Sequence, residues 1–181
     1  MAATLVIDQG THASRAIVFS AEGKIIHSTE QSIKLIKHNH SHIEQNPQEI
    51  LQSVHRVINQ VLNETPGIIS NCALATQRST MLAWDSHSLN CLHPALSWQD
   101  RRSEDDIKQF KQDEKLIRQI TGLPLSAHYG AGKFRWLLQH LKQTNQESSQ
   151  SLALGPLVSF LLCHLSSLQQ NLVDHSNAHR T

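Results

Sequence analysis

Short apolar runs separated by polar turns dominate the first part of the chain. The runs cover residues 5–8, 15–20 and 24–36, and brief polar segments such as Ala21-Glu22-Gly23 connect them. Short connections leave neighbouring strands antiparallel. The pattern therefore predicts three sequential antiparallel strands.

The apolar period changes to three or four residues after Asn46, which is typical of one face of an amphipathic helix. Asn46 suits the N-cap, Pro47 the first helical position and Glu49 the capping-box position, so the helix is predicted to begin here. The apolar positions that share the face are Ile50, Leu51, Val54, Val57, Ile58, Val61 and Leu62.

The rest of the chain alternates between strand and helix patterns. After the Pro66-Gly67 break, residues 68–69 and 72–76 predict a buried strand and residues 80–84 a second one, which makes a βββαββ order. Helices are predicted over 101–118, around 134–141 and over 156–168, with a loop at 143–151 and a short strand at 152–154. Because no linker rich in glycine, serine or proline divides the chain, we expect one domain over residues 1–181.

Composition narrows the class of protein. The chain has 181 residues, of which 39% are hydrophobic and 17% charged, as in soluble globular domains. A net charge of +1 argues against nucleic acid as a partner. Cys72, Cys91 and Cys163 are far apart in apolar surroundings and are expected to be reduced core thiols. With no leader and no apolar run long enough to span a bilayer, a cytoplasmic location is expected.

The turn between the first two strands contains residue types that bind phosphate. Asp8 ends the first strand and can hold a divalent cation such as Mg²⁺. Gly10 lets backbone N–H groups approach phosphoryl oxygens. Thr11, Ser14 and Arg15 can add hydroxyl and guanidinium donors to the same anion. The alternative is an ordinary hairpin with a polar loop.

Two later polar segments interrupt apolar ones. Arg78 falls between two predicted buried strands, which favours an anionic or polyhydroxylated partner. Trp98 stands beside Gln99 and Asp100, and an aromatic face with hydrogen-bonding neighbours suits a sugar or polyol. The alternative is a core tryptophan followed by a solvated helix start.

Two further segments have simpler interpretations. His38, His40 and His42 are good donors for a transition metal, but a loop does not hold them in a fixed geometry, so surface histidines are the favoured reading. The polar residues 174–181 are consistent with a frayed tail.

Five segments, taken in order, resemble the FGGY carbohydrate kinases and most closely their glycerol kinase branch. The resemblance implies a ribonuclease-H-like α/β fold, shared with actin and the heat-shock chaperone ATPases: an N-terminal lobe with a mixed sheet, βββαβα order and flanking helices. The matching segments are Asp8-Gln9-Gly10-Thr11 with Ser14-Arg15, His42-Ile43-Glu44-Gln45-Asn46-Pro47, Thr76-Gln77-Arg78 with Thr80, Trp98-Gln99-Asp100-Arg101-Arg102, and Asp174 to Thr181.

The resemblance implies a role for each residue of the first turn. Asp8 is expected to orient Mg²⁺, and Arg15 to stabilise charge on the γ-phosphoryl group during transfer. The residues expected along the phosphates of ATP are Gly10, Thr11, His12 and Ala13.

The resemblance also implies a pocket for a small-molecule sugar or polyol, lined by Arg78, Ser79, Trp98, Asp100 and His128. Glycerol kinases have a glutamate at the position of Ser79 and a tyrosine at the position of His128. A site built to bond particular hydroxyls discriminates strongly when its partners change. The resemblance therefore leaves open whether glycerol or another sugar or polyol is the substrate.

Members of the family have two lobes, so the resemblance implies that this chain is an incomplete one. The catalytic base is expected beyond Thr181, and the C-terminal lobe that holds adenosine is absent from residues 1–181. We therefore expect the N-terminal part of an ATP-dependent sugar or polyol kinase that is inactive by itself. The alternative is a non-catalytic ligand- or partner-binding module derived from a truncated lobe. Homo-oligomer formation is left open.

Overall fold

The computed structural model describes residues 2–67, 69–144, 151–167 and 169–180, which form two compact units. The first unit contains the residues up to Leu35 together with Gln45–Gln77, and the second contains Ile36–Glu44 and the described residues from Arg78 onward. The strands are β1 (Ala3–Gln9), β2 (Ala13–Phe19), β3 (Ile25–Ser32), β4 (Ile36–Lys37), β5 (Ile43–Gln45), β6 (Ile69–Thr76), β7 (Met81–Asp85), β8 (Ala95–Leu96) and β9 (Leu152–Pro156). The helices are α1 (Pro47–Glu64), α2 (Glu104–Lys108), α3 (Glu114–Thr121), α4 (Gly130–Gln143), α5 (Leu157–Leu165) and α6 (His175–Ala178), with a 3-10 helix at Lys111–Asp113.

The first unit is a four-stranded mixed sheet covered on one face by α1. Its strand order is β3-β2-β1-β6. Short turns make β1, β2 and β3 antiparallel, whereas β6 pairs parallel to β1 because the chain returns through α1. Alternate residues of β1 are buried, and the buried face of α1 packs against β2 and β3. The three predicted antiparallel strands are thus confirmed, and the structure adds a fourth strand, β6, parallel to β1.

The start of α1 has the predicted N-cap and the predicted proline, but the Glu49 side chain does not close the predicted capping box. Asn46 Oδ1 accepts hydrogen bonds from the backbone N–H groups of Gln48 at 2.9 Å and Glu49 at 3.4 Å, and Pro47 is the first helical residue. Glu49 Oε1 accepts from the backbone N–H of Lys34 at 3.2 Å. The capping segment therefore also fixes the chain that follows β3.

The second unit is a five-stranded sheet with the order β4-β5-β8-β7-β9. Its core forms where α4 and α5 pack on β7, which is buried from Met81 to Trp84. Leu137 and Leu141 of α4 meet Ala83 and Leu96 in one cluster. The Trp84 and Phe160 rings pack edge to face with centroids 5.8 Å apart.

Three strand and burial predictions need correction. The strand predicted over 24–36 is divided between β3 and β4, which belong to different sheets. β6 forms as predicted but is largely exposed rather than buried, because it lies at the edge of its sheet while α1 packs mainly against β2 and β3. Cys72, on β6, is consequently exposed and is not a core thiol, whereas Cys163 is buried. Ile68, also assigned to this strand, lies outside the described residues.

The predicted helix over 101–118 is broken into α2, the 3-10 helix and α3. Phe110 N–H donates to the carbonyl of Ile107, and Asp113 N–H to that of Phe110, both at 3.0 Å. These i to i+3 bonds tighten the backbone and interrupt the α-helical repeat. Gly122 then ends α3 with φ of 73°, a left-handed conformation that glycine adopts without strain.

The C-terminal predictions hold in part. The strand at 152–154 is confirmed as β9, and the following helix is α5, which ends at Leu165; Leu168 lies outside the described residues. Residues 145–150 of the predicted loop also lie outside them. Asp174 caps the short α6, so this segment is not a frayed tail. Throughout the described ranges, no helix combines the length and the apolarity that a membrane crossing requires.

Candidate functional site

The first hairpin places a carboxylate and a guanidinium side by side next to its turn. Asp8 and Arg15 are direct cross-strand partners, and Arg15 Nη1 lies 3.4 Å from Asp8 Oδ2. Gly10 N–H donates to the Ala13 carbonyl at 2.9 Å and closes the turn. A Cβ on Gly10 would lie 3.3 Å from that same carbonyl oxygen, so glycine suits the tight closure.

Arg15 has a second acidic neighbour that the sequence pattern does not reveal. Glu30 of β3 is its cross-strand partner on the other side and accepts a hydrogen bond from Arg15 Nε. Bonding to Glu30 and, less strongly, to Asp8 raises the pKa of the guanidinium. The side chains of Arg15, Asp8 and Glu30 are 45%, 43% and 50% exposed, so all three are accessible to a ligand.

Two side-chain amides, of which Gln45 is fully buried, hold the backbone of the turn. Gln45 Nε2 donates to the Thr11 carbonyl at 2.8 Å, and Gln77 Nε2 donates to the Gly10 carbonyl at 3.3 Å. His12 has an exposed side chain, and its carbonyl accepts from the Ile33 N–H at 2.9 Å. The backbone of the turn is therefore fixed through its carbonyl groups.

The two small residues at the start of β2 are both buried. Ala13 is buried. Ser14 is fully buried and shares a 2.7 Å hydrogen bond with Ser53 of α1. The suggestion that the Ser14 hydroxyl donates to a bound anion is therefore wrong, because side chains alternate along a strand and Ser14 points to the face opposite Arg15.

In the second unit, two of the residues expected at the polyol pocket, Trp98 and His128, are in contact. The Trp98 and His128 rings meet edge to face with centroids 5.9 Å apart, and Trp98 N–H donates to Thr80 Oγ1 at 3.0 Å. Ser79 precedes Thr80 and has φ of 62°, a left-handed conformation that is uncommon outside glycine. Arg78, next to Ser79, is exposed.

Two properties suit this group to a hydroxylated ligand. Ser79 is 1% exposed, and among the described residues its Oγ has no hydrogen-bond partner. Burial first, and then the charges of Lys133 and Arg180, lower the pKa of His128. Its ring is therefore neutral at pH 7 and offers one donor and one acceptor.

Lys133 connects the segments that carry these residues. Its ammonium group is fully buried and donates to backbone carbonyls of Ser79, Ser97 and His128. No function was predicted for Lys133 from the sequence, although its position in the helix pattern is unusual. Lys133 shares the buried face of α4 with Gly130, Leu137 and Leu141, where an apolar residue is expected.

Asp100 lies in a buried ionic cluster. Its carboxylate is fully buried and accepts from Ile43 N–H at 2.6 Å and from Arg102 Nη2 at 2.9 Å. Arg102, 3% exposed, also donates to Glu44 at 2.6 Å and lies 4.5 Å from the centre of the Trp136 ring. These contacts support a role in holding the loop, and the geometry offers no support for the predicted contact with substrate.

The hairpin carboxylates are chemically suited to Mg²⁺. Asp8 and Glu30 are exposed oxygen donors, and Mg²⁺ is usually held by one or two carboxylates together with water and phosphate oxygens. The segment with His38, His40 and His42 gives less support for a metal site. His38 Nε2 lies 3.0 Å from Glu44 Oε2, so that ring nitrogen already has a partner within the protein. Within the described ranges, no group of three or more His, Cys, Asp or Glu residues is arranged to hold a metal ion.

Comparison with known proteins gives consistent matches along the whole chain. Glycerol kinases of Stenotrophomonas maltophilia strain R551-3 and Alkalilimnicola ehrlichii are 35% and 37% identical over 98% and 100% of the chain. The chain spans only 37% and 38% of the length of these two relatives.

Solved structures show the same fold. The Plasmodium falciparum glycerol kinase with ADP superposes with a TM-score of 0.90 at 23% identity, covering 100% of this chain and 37% of that one. A ligand-bound xylulose kinase from Lactobacillus acidophilus gives a TM-score of 0.86 at 18% identity, covering 100% and 36%. These likenesses confirm the predicted ribonuclease-H-like, actin-related fold.

The family model described as the FGGY family of carbohydrate kinases, N-terminal domain, matches residues 3–181. This match and the glycerol kinase relatives confirm the resemblance inferred from the five ordered segments. The chain belongs to the FGGY family of carbohydrate kinases.

Proposed function

We propose that the chain is the N-terminal part of an ATP-dependent kinase that transfers the γ-phosphoryl group to a hydroxyl of a sugar or polyol. The observation that carries this proposal is the exposed Asp8–Arg15 pair beside the closed Gly10 turn, in a chain of this family. ATP as the phosphoryl donor fits a cytoplasmic enzyme. Because the chain spans 37% of its relative's length, the activity is that of a longer protein.

Each residue of the hairpin has a distinct task in this proposal. Arg15, permanently charged, stabilises the negative charge that develops on the transferred phosphoryl oxygens. Asp8, together with Glu30, would hold Mg²⁺, which neutralises phosphate charge when bound. The backbone from Gly10 to Ala13 lies beside this pair and is fixed by Gln45 and Gln77, so it is prepared for a phosphate chain.

The second unit supplies the hydroxylated substrate's pocket. The Trp98 ring offers an apolar face for sugar C–H groups, and the neutral His128 ring exchanges hydrogen bonds with hydroxyls. The buried Ser79 hydroxyl gains a partner when a ligand hydroxyl binds, which offsets a desolvation cost of about 1–3 kcal/mol. Serine and histidine are smaller than the glutamate and tyrosine of glycerol kinases. We therefore infer room for a polyol or ketose longer than glycerol.

The test is a substrate panel with the full-length protein that contains this chain. ADP release is measured with Mg²⁺, ATP and glycerol, tetritols, pentitols, hexitols or ketoses. We expect turnover with at least one of them and a higher kcat/KM for a four- to six-carbon compound than for glycerol. Binding without turnover would instead support the non-catalytic module, and neither binding nor turnover would refute both.

A variant tests the specificity argument separately. Replacing Ser79→Glu and His128→Tyr together restores the two glycerol kinase side chains and should shift the ratio of kcat/KM values toward glycerol. A change of roughly tenfold or more is expected, since sites that bond specific hydroxyls discriminate strongly. An unchanged ratio would show that these two positions do not set the choice of polyol.

A further inference from the structure

One lysine joins three segments that are distant in sequence. Lys133 Nζ donates to the carbonyl oxygens of Ser79 at 2.7 Å, Ser97 at 2.8 Å and His128 at 3.2 Å. These acceptors lie in the connection before β7, directly after β8 and in the loop before α4. The lysine itself is fully buried in α4.

Each of the three carbonyls belongs to, or adjoins, a residue of the proposed pocket. Ser79 and His128 are themselves pocket residues, and Ser97 is followed by Trp98. The ammonium group therefore holds the backbone of the whole set from the interior side. The side chains that would meet the ligand extend from backbone atoms whose positions depend on this one group.

The chemistry requires the charged form of lysine. An ammonium group has three N–H donors, one for each carbonyl, whereas a neutral amine has two. Burying the charge is costly, and burial lowers the pKa of Lys133 to about 7, with Asp100 acting to raise it and Arg102 to lower it. Hydrogen bonds to the three carbonyls offset part of the burial cost.

We propose that Lys133 is a positioning residue for the polyol: through the Ser79, Ser97 and His128 carbonyls it sets the spacing of the pocket's hydrogen-bonding groups. The inference rests on the proposed function. A residue that only stabilised the fold would change the melting temperature and leave substrate affinity unaltered. A positioning residue changes the KM of the substrate whose site it shapes.

The test compares Lys133→Met with Lys142→Met in the full-length protein, using the best substrate of the panel. Both variants lose one lysine from α4, but Lys142 is exposed near the helix end. For Lys133→Met we expect the polyol KM to rise about tenfold or more, because small displacements of positioning groups have large effects. The KM for ATP should stay within about threefold of wild type, and Lys142→Met should match wild type in both.

The pH profile of the wild-type protein gives a second measurement that does not depend on a variant folding. At saturating ATP, the polyol KM should rise as pH increases from 6.5 to 8.5 through the lysine's pKa of about 7, because the neutral amine leaves one carbonyl unpaired. The charged neighbours are Asp100 and Arg102, and burial together with the charge of Lys133 lowers the pKa of His128.

The outcomes separate this inference from the proposed function. Absence of phosphoryl transfer by the wild-type protein would overturn the proposed function, and this inference with it. If the wild type transfers phosphate and Lys133→Met has an unchanged polyol KM, this inference alone is overturned. The melting temperature of the variant does not change that conclusion. If that variant does not fold, a flat wild-type KM profile over the same pH range would overturn it.

Discussion

Arg15 and Arg102 each lie against two carboxylates, but burial gives them different roles. Arg15 contacts Asp8 and Glu30 at a surface that is about half exposed. Arg102 contacts Asp100 and Glu44 where almost no water reaches. Exposed ion pairs contribute little to stability, whereas removing one member of a buried pair is costly. The first arginine is thus available to a ligand, and the second holds the fold.

The role proposed for Arg15 predicts that Arg15→Ala in the full-length protein lowers kcat by about 10²-fold or more, because the transferred phosphoryl group would lose its charge stabilisation. Its effect on stability should be small. Arg56→Ala, an exposed arginine of α1, is the matched control. Steady-state kinetics decide the point: a raised polyol KM with an unchanged kcat would contradict the role given to Arg15.

Arg102→Met should lower the free energy of unfolding by about 3–5 kcal/mol, because it leaves Asp100 and Glu44 as buried carboxylates without their cation. Arg101→Met removes the exposed neighbour and should have a much smaller effect. Urea unfolding measures both. Equal losses in the two variants would show that the buried cluster contributes no more than a surface ion pair.

The same cluster predicts a dependence of stability on pH. Burial acts to raise the pKa of Glu44, but hydrogen bonds from Arg102 and His38 outweigh it and hold the pKa below its usual 4.5. A carboxyl with a lowered folded-state pKa contributes stability above its unfolded pKa and loses it as pH falls through the folded value. Between pH 5 and pH 3, we expect the free energy of unfolding, measured by urea unfolding, to fall less in Glu44→Gln than in the wild type. A parallel decline in both would contradict this.

At the scale of elements, the first turn of α4 consists of small residues because another helix approaches it closely. A Cβ on Gly132 would lie 2.6 Å from Ile107 Cδ1 and 2.8 Å from Ser103 Oγ, both belonging to α2 or its N-cap. Lys133 follows directly, so this contact also affects the residue that holds the proposed pocket.

Gly132→Ala should therefore destabilise the protein by about 1–3 kcal/mol through overpacking. Ala131→Ser, on the exposed side of the same turn, is the control. Adding Ile107→Val removes the nearest methyl group and should recover part of the loss. If thermal unfolding shows no recovery in the double variant, the contact between α2 and α4 is not the cause.

At the scale of the whole molecule, the chain is two compact units that each carry part of the proposed chemistry. The first holds the hairpin with Asp8 and Arg15, and the second holds Ser79, Trp98 and His128. In the described residues of the second unit, the one carboxylate predicted to contact substrate, Asp100, is already bonded to Arg102 and Ile43. For the proposed phosphoryl transfer, we therefore expect the proton acceptor outside residues 1–181.

We accordingly expect the 181-residue chain alone to show no polyol-dependent release of ADP, while the full-length protein does. Both should be assayed at equal concentration with the substrate that the panel identifies. Circular dichroism of the chain alone controls for loss of folding. Robust turnover by the chain alone would refute the assignment of the base to a later segment.

Local sequence predicted the elements whose signals are short-range. Asn46 and Pro47 predicted the start of α1 because capping involves residues two or three apart. The five ordered segments were enough to identify the family, because each turn retains its polar residues in the same order. The sequence did not show that the helix over 101–118 breaks, since that depends on bonds around Phe110 that do not follow from periodicity.

The order of residues along the chain is thus enough to identify the family, most of the strands and helices and the polar residues of the first hairpin. Folding determines which carboxylates lie beside Arg15, because Glu30 becomes its neighbour only through the register of β2 and β3. It also determines that Ser14 faces the interior and that Asp100 is bonded to Arg102. Lys133 is the clearest case. Its three carbonyl partners come from segments up to 54 positions away in sequence, and only folding brings them within reach of one ammonium group.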